Sequence, residues 1–228
     1  MNFQGSFKKI GDIDVHHLKN VVERLTDHHW NFNDMRQRRY DVHKDTQTIH
    51  LVFDEDFRHT NPTRHEPLEI FAPLLNPILA KIADYYEKQQ HYKPYLEKFG
   101  PGYFIRANLI KLKPGGSIEE HQDKNFSLAH SHRIHIPIKT SEQVLFRVGN
   151  QEINMKEGEV IEINNRKFHA VTNLGEQDRV HLILDWVIPG EPCCCAAKTH
   201  PGETCNPELC METDRLLVPC VCHGDLAN

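Results

Sequence analysis

Cysteine is missing from the first 192 residues of this 228-residue chain; all seven cysteines come later. No disulfide framework is therefore available to the body, and a chain of this length, burying roughly 70–75% of its unfolded surface, needs none. Long apolar runs are missing too. Nothing approaches the roughly 20 residues of a membrane-spanning helix, and no charged-then-apolar leader opens the sequence. The expectation is a cytoplasmic protein with reduced thiols and no membrane partner. An excess of positive charge is the third absence. Lys and Arg number 27 against 32 Asp and Glu, a net −5 without a basic stripe, which argues against a nucleic-acid partner.

Histidine, by contrast, is abundant, with 17 in all. His-x-Asp occurs at His43-Lys44-Asp45, His121-Gln122-Asp123 and His223-Gly224-Asp225, so the tripeptide alone carries little weight. The last copy has no room for a downstream partner. The first is followed at once by a strand-like run. Only the middle copy is followed by a suitably placed His169 and then Arg179. Two histidines and a carboxylate form the ligand set that binds a metal on one face and leaves the opposite positions open. An arginine on the next strand offers a fixed cation for a carboxylate-bearing co-substrate.

The periodicities predict a mainly β architecture. Residues 12–28 read as an amphipathic helix carrying Leu18, Val21, Val22 and Leu25, and a longer helix is predicted over 73–89, with Pro73 in its first turn. Between them, Thr46–Phe53 alternates as a strand. From residue 103 the texture changes to short strands separated by turn residues: 104–112, 133–139, 144–148, 152–155, 160–163, 169–172 and 179–187. That spacing predicts an antiparallel jelly roll (a double-stranded β-helix) covered on one sheet by an N-terminal helical layer. The expected layout is a covering layer over 1–100, a catalytic core over 101–188 and a Cys-rich tail over 189–228.

Strand alternation sharpens the site. Arg133 and His135 share one face of their strand while Ile134, Ile136 and Ile138 take the other, so the polar face looks into solvent or a polar cavity. Arg179, His181, Ile183 and Asp185 likewise share a face of the final strand. A zinc hydrolase could use the same metal ligands, but no general base is nominated beside them.

Residues Arg106 to Trp186 resemble the aspartyl/asparaginyl β-hydroxylase group of Fe(II)- and 2-oxoglutarate-dependent dioxygenases, which also includes bacterial proline hydroxylases. The resemblance rests on Pro114-Gly115, His121-Gln122-Asp123, Arg133-Ile134-His135, Gly158, His169 and Arg179-Val180-His181-Leu182. It implies that His121, Asp123 and His169 are the catalytic iron ligands and that Arg179 binds the distal carboxylate of 2-oxoglutarate. It further implies that Arg133 and His135 help to hold that co-substrate. The implied reaction consumes O₂, hydroxylates an amino acid or short peptide and releases succinate and CO₂. Where some animal members use a serine on the strand before the first ligand, this chain has Ile110, with Asn108 two residues earlier on the same face. The alternative is a non-catalytic cupin-like module that binds a metal or a small acid. Such a module would more typically offer His-x-His plus a glutamate, and the late arginine also counts against it.

Two features stand apart. Arg36-Gln37-Arg38-Arg39 reads as a solvated surface patch. The tail carries Cys193-Cys194-Cys195, Cys205, Cys210, Cys220, Cys222 and His223. Such thiolates could hold zinc, although no paired Cys-x₂-Cys elements are present.

Overall fold

A computed structural model describes residues 3, 5–31, 43–55, 62–123, 126–129 and 131–191. The Arg36–Arg39 patch and the seven cysteines lie outside the described residues.

Two antiparallel sheets make the jelly-roll core. We number the strands β1 (Phe7–Asp12), β2 (Thr46–Phe53), β3 (Thr63–Arg64), β4 (Tyr103–Leu112), β5 (Ser117–His121), β6 (His132–Lys139), β7 (Val144–Val148), β8 (Gln151–Ile153), β9 (Glu159–Ile163), β10 (His169–Asn173) and β11 (Arg179–Val187). The larger sheet has the order β1-β9-β6-β11-β4-β2-β3, and the smaller has the order β5-β10-β7-β8. Helices α1 (His16–Val22), α2 (Asp27–Trp30), α3 (Pro67–Glu87), α4 (Lys93–Phe99) and α5 (Phe126–Ala129) complete the described elements. Among the described residues no helix is long and apolar enough to cross a membrane.

Each face of the larger sheet has its own core. Leu18 and Val22 of α1 and Leu75, Ile78 and Ile82 of α3 bury the outer face against Leu109, Ile134, Ile136, Leu182 and Leu184. That is the expected helical layer. The inner face meets the smaller sheet through Leu112, Ile161 and Ile163 packed with Phe146, Val148 and Val171. Strand alternation thus gives every isoleucine of β6 to the helix side and leaves Arg133 and His135 between the sheets.

Local structure differs from the predicted helices for physical reasons. The expected helix over 12–28 is divided. Its first residue closes strand β1, which pairs with β9, and Ile13 N–H bonds to Gly158 O at 2.8 Å. Gly158 has φ +79°, and a Cβ there would lie 2.3 Å from that segment's Ile13 carbonyl oxygen, so only glycine permits the approach. Farther on, extended Thr26 and His29 form a reciprocal cap that starts α2 afresh. The second helix begins earlier than expected, at Pro67, so Pro73 and Pro77 lie inside it. Both prolines face solvent, where water can take up the carbonyls they free, while Phe71, Leu75, Ile78, Ile82 and Tyr86 form its buried stripe.

Candidate metal centre

Strand pairing brings His169 to the His121–Asp123 pair and so assembles the candidate metal-binding triad. His121 ends β5, His169 begins β10, and the two are directly paired in the ladder. Asp123 follows two residues later, its N–H bonded to Asn165 O at 3.3 Å. One ligand atom from each of His121, Asp123 and His169 lies within 4.8 Å of the others. The imidazole centroids are 4.3 Å apart.

Hydrogen bonding prepares both rings for a cation. His121 Nδ1 lies 2.7 Å from Glu119 O, and His169 Nδ1 lies 2.9 Å from Lys167 O. A carbonyl can only accept, so each Nδ1 carries the proton and each Nε2 keeps a free lone pair. Burial lowers the His169 pKa below its ordinary value, which favours the neutral, ligating form.

The carboxylate of Asp123 is fixed by a buried ion network. Arg133 Nη1 donates to Asp123 Oδ2 at 2.7 Å, while its Nε and Nη2 donate to the two oxygens of Asp185 at 2.9 and 2.8 Å. Asp185 also accepts from Arg106 Nη1 at 3.3 Å, and Arg106 reaches Asp54 and Ser127. Burial opposes the charge on Asp185, but Arg133 and then Arg106 outweigh it and hold the carboxylate below its usual range. Arg133, expected to help hold the co-substrate, has its guanidinium engaged by two protein carboxylates, one of them the candidate ligand Asp123.

Farther along the same inner face the chemistry is reversed. Arg179, fully buried, sits opposite Leu112 at the start of β11. Its Nη2 donates to His181 Nδ1 at 2.6 Å, but its Nε and Nη1 have no partner among the described residues. Burial without a carboxylate pushes its pKa down to about 9. Both ring nitrogens of His135 and Nε2 of His181 are also buried without partners. Burial, and then the Arg179 charge, lower the pKa of each imidazole well below the ordinary value. His135 packs edge-on to Phe146 of the opposing sheet at 4.9 Å, which locates this cluster between the sheets. Ile110 lies in register between His181 and Thr48, whose buried Oγ1 is also unpaired. An acid with a carboxylate at this end would satisfy these donors, so the residues present fit such a group.

The structure therefore brings His121, Asp123 and His169 together and, farther along, sets Arg179 against His181, whose ring is 5.8 Å from that of His135. Sequence reasoning did not assign roles to His181, Asp185, Arg106 or Thr48. The doubled Arg-x-His on β6 and β11 was the available signal for His181. Of the discarded His-x-Asp copies, His43 lies with its ring 5.8 Å from that of His121, whereas Asp45 binds Lys113 at 2.6 Å and the N–H of Ser117 at 3.1 Å.

No curated protein matches the chain in sequence. By fold it is similar to an oxidoreductase of the 2OG-Fe(II) oxygenase family from Burkholderia pseudomallei (13% identity, TM-score 0.46), covering 62% of this chain and 66% of that one. It is also similar to a viral collagen prolyl hydroxylase from Paramecium Bursaria Chlorella virus-1, at 12% identity and TM-score 0.44, covering 80% and 95% of the two chains. A cupin domain from Bordetella pertussis is similar at 14% identity and TM-score 0.30, over 37% of this chain and 82% of that one. In sequence, residues 94–189 match the Aspartyl/Asparaginyl beta-hydroxylase family. The matched segment contains all three candidate ligands.

Proposed function

We propose that the protein is an Fe(II)- and 2-oxoglutarate-dependent dioxygenase that hydroxylates an amino-acid or short-peptide substrate, releasing succinate and CO₂. The observation that carries this reading is the pairing of an open-faced His121/Asp123/His169 triad with a buried, unanswered Arg179. Iron with 2-oxoglutarate bound would supply the O₂ activation and the oxidising power for C–H hydroxylation.

The chain's own residues have separable tasks. His121, Asp123 and His169 would hold the cation from one side, leaving the opposite positions open. Arg133 donates to Asp123 Oδ2 and so orients the carboxylate that would ligate the metal. Arg179 would pair with the distal carboxylate of the co-substrate, and His135 would stand beside it as a neutral imidazole. Ile110, Leu112, Ile183 and Phe146 are buried among these polar groups and limit water access. A cytoplasmic location and a small substrate belong to the same proposal.

The test is an anaerobic titration of metal-free protein with Fe(II) and 2-oxoglutarate, following the visible charge-transfer band of the chelate. A band in the wild type that is lost in His169→Ala supports the assignment. A wild type that binds Fe(II) yet forms no chelate would refute it.

A further inference from the structure

A second buried cluster of titratable groups lies on the helix side of the larger sheet, away from the candidate metal centre. His132 opens β6, where it pairs with Trp186 of β11, and its ring packs 4.7 Å from that of Tyr86 of α3. Glu162 of β9 and Glu191, just past the end of β11, reach the ring from its two sides. Glu162 Oε1 lies 2.5 Å from Nδ1, and Glu191 Oε2 lies 2.8 Å from Nε2. All three residues are buried. Gly190, at φ +72°, turns the chain back: a Cβ there would fall 2.2 Å from the Phe99 ring of α4.

A carboxylate only accepts hydrogen bonds, and a neutral imidazole donates from one nitrogen and accepts at the other. Two carboxylates and a neutral ring would therefore leave a lone pair facing an anion, although both contacts are of hydrogen-bond length. One further proton is required. Burial opposes an imidazolium at His132 and brings its pKa down to about 4 against the pull of Glu162. Burial also works against the charge on Glu162, but His132 and then Lys8 of β1 outweigh it and hold the carboxylate below its usual range. Lys8 Nζ is 3.6 Å from Glu162 Oε2, and it also lies 5.5 Å from the Tyr85 ring. Burial, and then the Glu162 charge, raise the pKa of Tyr86 and Tyr92, so both hydroxyls stay neutral. Tyr92 Oη, 3.5 Å from His132 Nε2, is at the limit of a hydrogen bond and leaves the shorter contact to Glu191.

We propose that Glu191 is a carboxylic acid at neutral pH that donates to His132 Nε2, forming a proton-dependent latch where the chain leaves the core. Glu162 then accepts from Nδ1–H, and the trio keeps a single negative charge beside Lys8. When Glu191 ionises, its carboxylate faces the Nε2 lone pair, and the turn from Ile188 loses the bond that returns it to the sheet. Arg133 and Asp185 are the next pair along the same two strands but point to the opposite face, so the latch needs neither metal nor co-substrate.

Chemical denaturation of wild type and Glu191→Gln at a series of pH values tests the proton. The amide keeps a donor for Nε2 and cannot ionise. Glu191 titrates near about 4.3 in the unfolded chain and is expected to titrate above about 7 in the folded one. The stability it contributes is thus whole below the lower value and drains away as pH rises toward the upper one. Between about pH 5 and 7 the unfolding constant of wild type, divided by that of the variant, should rise about tenfold per pH unit. Parallel profiles would mean an ionised Glu191 and overturn the proposal. Carboxyl ¹³C shifts of the wild type need no variant: a protonated Glu191 at neutral pH is expected, and an ionised one overturns the assignment. Amide-exchange protection at position 191 reads the latch itself. Above the pH at which Glu191 ionises, protection in wild type should fall about tenfold or more below that in the variant. Equal protection would mean that the proton fastens nothing.

Discussion

Three buried arginines project from the inner face of the larger sheet, and the protein treats them in opposite ways. Arg133 and Arg106 share Asp185, and between them they also reach Asp123 and Asp54. Arg179, six residues before Asp185 on the same strand and so about 20 Å away along it, has no carboxylate at all among the described residues. Among the described residues, one end of the face has its counter-charges and the other has none. Stability is invested where the metal ligand must be held still. At the Arg179 end the unmet hydrogen-bonding capacity is what the proposed carboxylate would satisfy.

Breaking the completed end should have the largest effect. Asp185→Ala removes the carboxylate that Arg133 and Arg106 share and leaves each with one other, and a loss of about 3–5 kcal/mol in chemical denaturation is expected. A loss below about 1 kcal/mol, the value of an exposed pair, would mean that the network is solvated. A smaller effect is expected from Arg133→Lys, which keeps the charge but cannot hold both oxygens of Asp185 and also reach Asp123. Fe(II) affinity should fall by about 10–100-fold, as for other partners of a metal ligand. Unchanged metal affinity would detach Arg133 from the metal site. The smallest effect belongs to Thr48→Val. Removing an unpaired buried hydroxyl should leave stability the same or slightly higher, while 2-oxoglutarate binding weakens by about 1 kcal/mol if Thr48 joins the anion site. Calorimetric titration would measure that change, and equal affinity would exclude Thr48.

What the sequence revealed follows the same division. His121 and Asp123 lie two residues apart, and Arg179 opens a strand whose alternation is plain, so local pattern sufficed for them. The carboxylate partners of Arg106 and Arg133 were hidden, because Asp54 and Asp185 reach them across separations of 52 residues in each pairing. Local pattern also failed at β5, an edge strand in which Ile118 is the only buried residue. It failed again in the first predicted helix, where apolar residues at helical spacing concealed a strand end and a fresh helix cap. The jelly roll itself was legible because most of its strands carry period-two alternation bounded by turn residues.

The measurement that bears most directly on this account is thermal unfolding of wild type and Arg179→Met, each loaded with Mn(II), with and without 2-oxoglutarate. Methionine removes an unpaired buried charge, so the variant without ligand should melt at the same temperature as wild type or higher. Saturating 2-oxoglutarate, at about 100 times its Kd, should stabilise wild type by about 2.7 kcal/mol and leave the variant unmoved. A variant that is strongly destabilised without ligand, or that gains as much from 2-oxoglutarate as wild type does, would contradict the claim that the Arg179 end is built for an anion.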